Sequence, residues 1–572
     1  MFDILYLLSA LTTLFFVAYK PKISIYPIIL SLIFFTLFRE LSSGSVIFFI
    51  IPYLMIGLLL LRIMYEISIE NLKGKVKLFF FLLNILVLIF LVGYFSYLLQ
   101  ETSDFSVVNL FTELDPIFIE ITYYFACFML IQFFILYFLN QKIKHNKILL
   151  LDVWASIFLL IGFIYVSLNL DSQYQLVNSF IGFRYYFSMA LIYFVVRHYH
   201  DENLIKRFFK LMAFVLLFGL FFSFIEGLCL NCFDMIPSEL PWSGQSLENF
   251  GHGPIHASEK TFFSGNYSPI GFMYSQHLTG IALTMGLAMF FVYFLTDKEC
   301  FSNFYNQLIA FLLVFLPIGF IYTSKTTLIV FIVTILLSFF ISIFINSPRA
   351  ILNSFFKTIF FVLFLPFITS YYLLPCATHN LEGEINFLTQ LNSVVYEEKY
   401  IENEVVYKER RVMPNAFLNL KRVILEDIVN MTQVNKDESL IFGQGYSRSQ
   451  WMKVLTKADE SQEIFQEVSE SDTPYLKFLQ QFGFLGLLSL VTILITPLIY
   501  GFFIIRNGKG DNTRPLFSGL VVMVFISALA MIHLQVLFKT GVNTIFFIAV
   551  ALISTKYQTL LKLKTNNSHA KS

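Results

Sequence analysis

Long apolar runs separated by short polar breaks recur from one end of this chain to the other. The runs fall at 3–19, 23–38, 45–63, 77–99, 116–138, 148–170, 181–198, 208–230, 269–296, 305–322, 327–346, 352–372, 477–505, 515–537 and 541–556. A helix of about 20 residues crosses a bilayer, so most of these runs suffice. The spanning structures open to a chain in lipid are helices and closed barrels, and unbroken apolar runs without period-two alternation predict helices. The expected fold class is all-α: a polytopic integral membrane protein of about 14–15 transmembrane helices. The expected organisation is N-terminal helices over 1–180, central helices over 181–372 with an outer loop at 231–268, and a large loop over 373–476. C-terminal helices follow over 477–556, then a tail over 557–572.

The 373–476 stretch breaks the pattern. It carries 17 acidic and 10 basic residues, in a chain with only 38 and 39 of each. Within it, Phe417, Leu420, Ile424, Ile428 and Met431 share one face at helical spacing, which predicts an amphipathic helix. Phe442-Gly443-Gln444-Gly445-Tyr446 then interrupts with two glycines. Residues 453–472 are acidic and polar, which predicts a solvated helix or a mobile segment.

Charge orients the chain. Lys and Arg gather in alternate connections: Lys20 and Lys22; Arg62, Lys73, Lys75 and Lys77; Lys142, Lys144 and Lys147; Arg197, Lys206, Arg207 and Lys210; Arg506, Lys509 and Arg514; Lys556, Lys562 and Lys564. The intervening connections near 40–44, 100–115, 171–180 and 231–268 are nearly free of them. The positive-inside rule then puts the basic set in the cytoplasm and the large loop outside. The N-terminal run lacks a basic n-region and a small-residue cleavage site, so it reads as the first span.

Composition agrees. The chain is 57% hydrophobic and 13% charged, with mean hydropathy +0.72 and 71 phenylalanines. Its net charge of +1 gives no basis for nucleic-acid binding. Five cysteines make no disulfide framework. Cys229 and Cys232 form a C-x-x-C pair that reads equally as a disulfide or as two unrelated small residues. His252, His256, His277 and His379 show no metal-ligand spacing, and no phosphate-binding glycine loop is present.

Charges at the membrane are costly and therefore candidates for function. On the predicted outer side these are Arg39, Arg184, Lys325 and Arg422. One reading is a cationic cluster for phosphate or pyrophosphate, which Arg matches with its planar fork. The other is interfacial snorkelling. Asp472 stands before the span at 477–505; it reads as a general base or as a helix cap beside Pro474. Glu226 is a weaker candidate of the same kind, and Asp152 reads as a cap or as a partner in a local pair.

Four stretches resemble the superfamily of O-antigen polymerases (Wzy-type) and O-antigen ligases. They are Gly182-Phe183-Arg184-Tyr185-Tyr186, Thr323-Ser324-Lys325-Thr326, the loop pattern from Arg422 to Phe442-Gly443-Gln444-Gly445-Tyr446, and Asp472-Thr473-Pro474-Tyr475-Leu476 with Gly483 and Gly486. The similarity covers roughly 180–490. It implies a C-type glycosyltransferase-like helical bundle with no required metal or other cofactor. Its expected activity is transfer of a growing glycan from a polyprenyl pyrophosphate to a second lipid-linked repeat unit at the outer face. The expected setting is the bacterial inner membrane. The expected substrate is an undecaprenyl-pyrophosphate-linked oligosaccharide, and the expected partners are the lipid bilayer, a polysaccharide co-polymerase and a flippase. Asp472 would be the base. Arg184, Arg422, Lys325, Tyr446 and Tyr475 would bind pyrophosphate and glycan. The sequence departs from the pattern twice: Lys325 stands where the family has Arg, and Asp472 where the ligase branch has His. The second departure favours polymerase over ligase. A glycolipid transporter would show two similar halves, and none is seen. A non-catalytic scaffold would not need Arg184 at the outer side.

Overall fold

The structure is a computed structural model. It describes residues 2–34, 46–71, 116–144, 146–167, 186–200, 202–232, 276–296, 325–345, 394–402, 405–413, 451–456, 463–468, 474–508, 513–532 and 540–569, with isolated positions at 183, 308, 355, 356, 359, 443, 511 and 537. The expected spans at 77–99, 305–322 and 352–372 lie outside these residues or touch them only at single positions.

Twelve helices stand among the described residues: α1 (Phe2–Tyr19), α2 (Pro21–Ile33), α3 (Val46–Asn71), α4 (Pro116–Ile143), α5 (Leu150–Ser167), α6 (Ala190–Tyr199), α7 (Glu202–Cys232), α8 (Gln276–Thr296), α9 (Lys325–Ile345), α10 (Pro474–Asn507), α11 (Arg514–Ala530) and α12 (Thr540–His569). Four of them are long and apolar enough to cross a membrane over their described residues: α4, α8, α10 and α12. The chain is thus a helical membrane protein. Proline marks several helix starts, as its fixed φ and missing N–H allow: Pro21 for α2, Pro116 for α4 and Pro474 for α10.

Burial sorts the helices. In α8, every residue from Ile281 to Val292 is buried, so this helix is enclosed on all sides. It packs on α11 and α9, while α11 also packs on α10 and α12. Gly519 of α11 lies against the backbone of α8. A Cβ there would sit 2.7 Å from the Met289 carbonyl carbon and 2.9 Å from the Ala288 oxygen, so a hydrogen is what lets these helices touch. The outer helices keep exposed apolar stripes, such as Ile329, Ile332, Leu336, Phe340 and Phe344 on α9, which suits a face toward lipid.

Several of the described basic connections meet at one end of the bundle. There Arg197 of α6 is fully enclosed and paired with Asp152 of α5, with Nη2 to Oδ2 and Nε to Oδ1 both at 3.3 Å. Tyr193 and Tyr137 donate to the same carboxylate at 2.6 and 3.3 Å, and the Leu149 N–H caps it at 3.0 Å. Asp152 therefore caps its helix, as its sequence position suggested, while its ion-pair partner is not local but 45 residues away on α6. Arg197 also donates to Gln558 of α12 at 2.9 Å, and Gln558 donates to the Lys147 carbonyl at 3.1 Å. Nearby, Lys556 pairs with Asp511, and the Tyr500 and Tyr557 rings stack at 4.1 Å.

Two expectations need correction. The tail from 557 is not separate from the last span, because α12 runs unbroken to His569. The large loop is not purely helical or irregular. It holds two antiparallel hairpins: β1 (Val394–Glu402) with β2 (Val405–Met413), and β3 (Trp451–Thr456) with β4 (Glu463–Val468). The second replaces the solvated helix expected over 453–472. Trp451 is registered opposite Val468 and Val454 opposite Phe465, apolar pairs within a stretch whose acidic side chains had suggested only solvation. The all-α expectation therefore holds for the bundle and not for the loop. The amphipathic helix expected at 417–431 lies outside the described residues.

Candidate functional site

At the end of the bundle away from Arg197, three of the motif-bearing stretches come together. The first is the turn before α6. The Phe187 and Ser188 N–H groups donate to the Phe183 carbonyl at 2.9 and 3.0 Å. The second is the start of α10. Phe478 and Phe482, one turn apart, form its aromatic face. The Phe187 ring lies 5.9 and 4.8 Å from them, and the Tyr186 ring 5.8 and 5.3 Å. Tyr165 and Phe158 of α5 close the cluster at 5.2 Å from Phe482 and 6.0 Å from Phe478. Edge-on and tilted contacts dominate, as ring quadrupoles prefer.

The third stretch is the glycine pair of the large loop. Gly443 adopts φ 72°, in the left-handed region that L side chains avoid. Its Cα faces the backbone of α10: a Cβ would lie 2.5 Å from the Gln481 carbonyl oxygen and closer still to the Gly483 N. Gly483 is itself unusual, with φ 66° and ψ −173°, a region used almost only by glycine. It breaks α10 into a short segment from Pro474 to Phe482 and a long one to Asn507. The loop thus docks, through one glycine, on a helix broken at another.

Tyr475 stands at the head of the short segment. Its hydroxyl donates to the Ala528 carbonyl of α11 at 2.8 Å, which ties the start of α10 to the neighbouring helix. Lys325 is the first residue of α9, and its side chain lies outside the described residues. So do Arg39, Arg184, Arg422, Tyr446, Asp472, His252, His256 and His379 as whole residues, and the His277 side chain. Phe183 and Tyr186 flank Arg184, Gly443 stands three residues before Tyr446, and Pro474 follows two residues after Asp472. Glu226 is buried within α7, and Cys229 is a free thiol, without the disulfide the C-x-x-C spacing allowed. Among the described residues, no group of three metal-ligating side chains is present.

Three residues went unremarked in the sequence. Lys477, Gln480 and Gln481 follow Tyr475 at helical spacing i, i+3 and i+4, and so share a face. Their exposures are 3%, 3% and 0%. Among the described residues, neither amide of Gln480 or Gln481 finds a hydrogen-bond partner. The signal was there to read: three polar side chains at the head of an otherwise apolar run, where polar groups are costly.

No protein-family model, curated protein or solved structure matches the chain.

Proposed function

We propose that the chain is a polymerase of lipid-linked oligosaccharide repeat units, of the O-antigen or capsule type, working at the outer face of the bacterial inner membrane. One observation supports this reading above the others. Stretches far apart in sequence, each resembling a motif of that superfamily, converge at the end of the bundle opposite the basic connections.

The chemistry needs little equipment. A hydroxyl oxygen of the acceptor sugar attacks C1 of the donor's reducing sugar. The new glycosidic C1–O bond forms as the C1–O bond to phosphate breaks, and polyprenyl pyrophosphate leaves with the electron pair. Asp472 accepts the hydroxyl proton. Arg184, Arg422 and Lys325 hold the leaving pyrophosphate, whose charge grows as the bond breaks. Tyr446 and Tyr475 border the glycan path. Because the donor is already activated, no nucleotide is consumed. The hairpins of the large loop lie over the acceptor, while the apolar helices accommodate both lipid tails.

Surface glycan from a deletion strain, resolved on a gel, tests the assignment. The polymerase reading expects products of a single repeat. Loss of all glycan on the lipid A core would instead indicate a ligase, and an unchanged ladder would remove the chain from glycan assembly.

A further inference from the structure

An amide buried in an apolar bundle normally finds partners, because losing water without replacing it is costly. Gln480 and Gln481 break that rule side by side. Both are almost fully enclosed, both leave Nε2 and Oε1 without partners among the described residues, and they sit one turn below Lys477 on the same face. Their segment is also the one that ends at the Gly483 break and receives Gly443 of the large loop against the Gln481 carbonyl. Burial, unmet hydrogen bonding, a helix break and loop docking therefore coincide within eleven residues of Asp472.

We propose that Gln480 and Gln481 form a sugar-binding subsite, taking hydroxyl or acetamido groups of the repeat unit. A primary amide suits this ligand. Its oxygen accepts from a hydroxyl or an acetamido N–H, and its NH2 donates to a hydroxyl or acetamido oxygen. Two amides on one helix face suit a sugar ring, which carries several such substituents. They carry no charge, so they read hydroxyl and acetamido groups and leave the pyrophosphate to the cations. A site built of buried polar groups also rejects ligands lacking the matching substituents, because its own groups then stay unpaired. On this account the two glutamines select the repeat unit, which is a specificity role distinct from that of Asp472.

This inference rests on the polymerase reading, and one experiment separates the two. The probe is the free repeat-unit oligosaccharide released by mild acid from the lipid carrier of the deletion strain. Thermal unfolding of the full-length protein in detergent is followed with and without it, for wild type, Gln480→Leu, Gln481→Leu and the double variant. Leucine removes an unpaired polar group at similar volume, so each variant is expected to fold with an unfolding temperature equal to or above wild type. The oligosaccharide raises the wild-type temperature and leaves the double variant unmoved. In a polymerisation assay the single variants show KM for the lipid-linked unit raised about tenfold with kcat little changed. If the oligosaccharide shifts the double variant as much as wild type, the subsite is overturned while the polymerase reading stands. A wild type stabilised by polyprenyl pyrophosphate alone and not by the sugar likewise overturns it. Should the deletion strain keep its full glycan ladder, the polymerase reading fails by itself.

Discussion

Replacing Gly443 by alanine probes the joint between the large loop and the broken helix. Two costs add. An L residue held at φ 72° loses about 1–2 kcal/mol relative to glycine. The new Cβ also lands 2.5 Å from the Gln481 carbonyl oxygen and against the Gly483 N. Those are backbone atoms of a packed helix and have no rotamer in which to withdraw, so overpacking costs about 1–3 kcal/mol more. A total of about 2–5 kcal/mol shifts the docked–undocked balance of the loop by about thirtyfold or more, at tenfold per 1.4 kcal/mol. Tryptic cleavage of the purified protein reads this balance, since Lys408, Arg410 and Arg411 of β2 offer sites in the loop. Gly443→Ala is expected to speed cleavage there strongly while the helices stay resistant. Gly57→Ala is the control: no atom lies within 4 Å of its added Cβ, so it is expected to be neutral or to stabilise α3 by about 0.5–1 kcal/mol. Equal cleavage of the two variants would refute loop docking through Gly443.

Other perturbations report on the bundle. Arg197→Met leaves the Asp152 carboxylate buried without its cation and is expected to cost about 3–5 kcal/mol, whereas Asp152→Leu with Arg197→Met costs markedly less; urea unfolding of the three proteins checks this. Gly519→Ala forces a methyl into the Met289 backbone and is expected to lower stability by about 1–3 kcal/mol in the same assay. Asp511 is half-buried, which raises its pKa, but bonds from Lys556 and Thr513 outweigh this and hold it below the usual 3.8. A lowered folded pKa stabilises above the unfolded value and is lost as pH falls through the folded one. Asp511→Asn is therefore expected to cost about 0.2–1 kcal/mol near pH 7, with the gap to wild type closing below about pH 3.8; unfolding temperature against pH reads it.

The helical framework was legible because lipid leaves so few choices: an apolar run of sufficient length must satisfy its own backbone, and α4, α8, α10 and α12 follow from that alone. Local chemistry was legible too. Asp152 and Pro474 stand where a cap and a helix start belong. What could not be read depends on contacts between distant parts. Nothing near Arg197 in the sequence announces Gln558, more than three hundred residues away. Gly443 and Gly483 each looked like ordinary motif glycines, and only their contact shows that one fits the break made by the other. The β3–β4 hairpin was hidden by its charges, since acidic side chains on a strand leave the same compositional mark as a solvated helix. Gln480 and Gln481 carry no mark of enclosure in the sequence, because burial is a property of neighbours and not of the residue.

The most direct test of the central claim is reconstitution. The purified chain in liposomes, supplied with polyprenyl-pyrophosphate-linked repeat units and no nucleotide, is expected to build a ladder of products differing by one repeat, and Asp472→Asn at equal protein level is expected to abolish it. Lipid-linked material that stays at a single repeat under the wild-type protein would contradict the account.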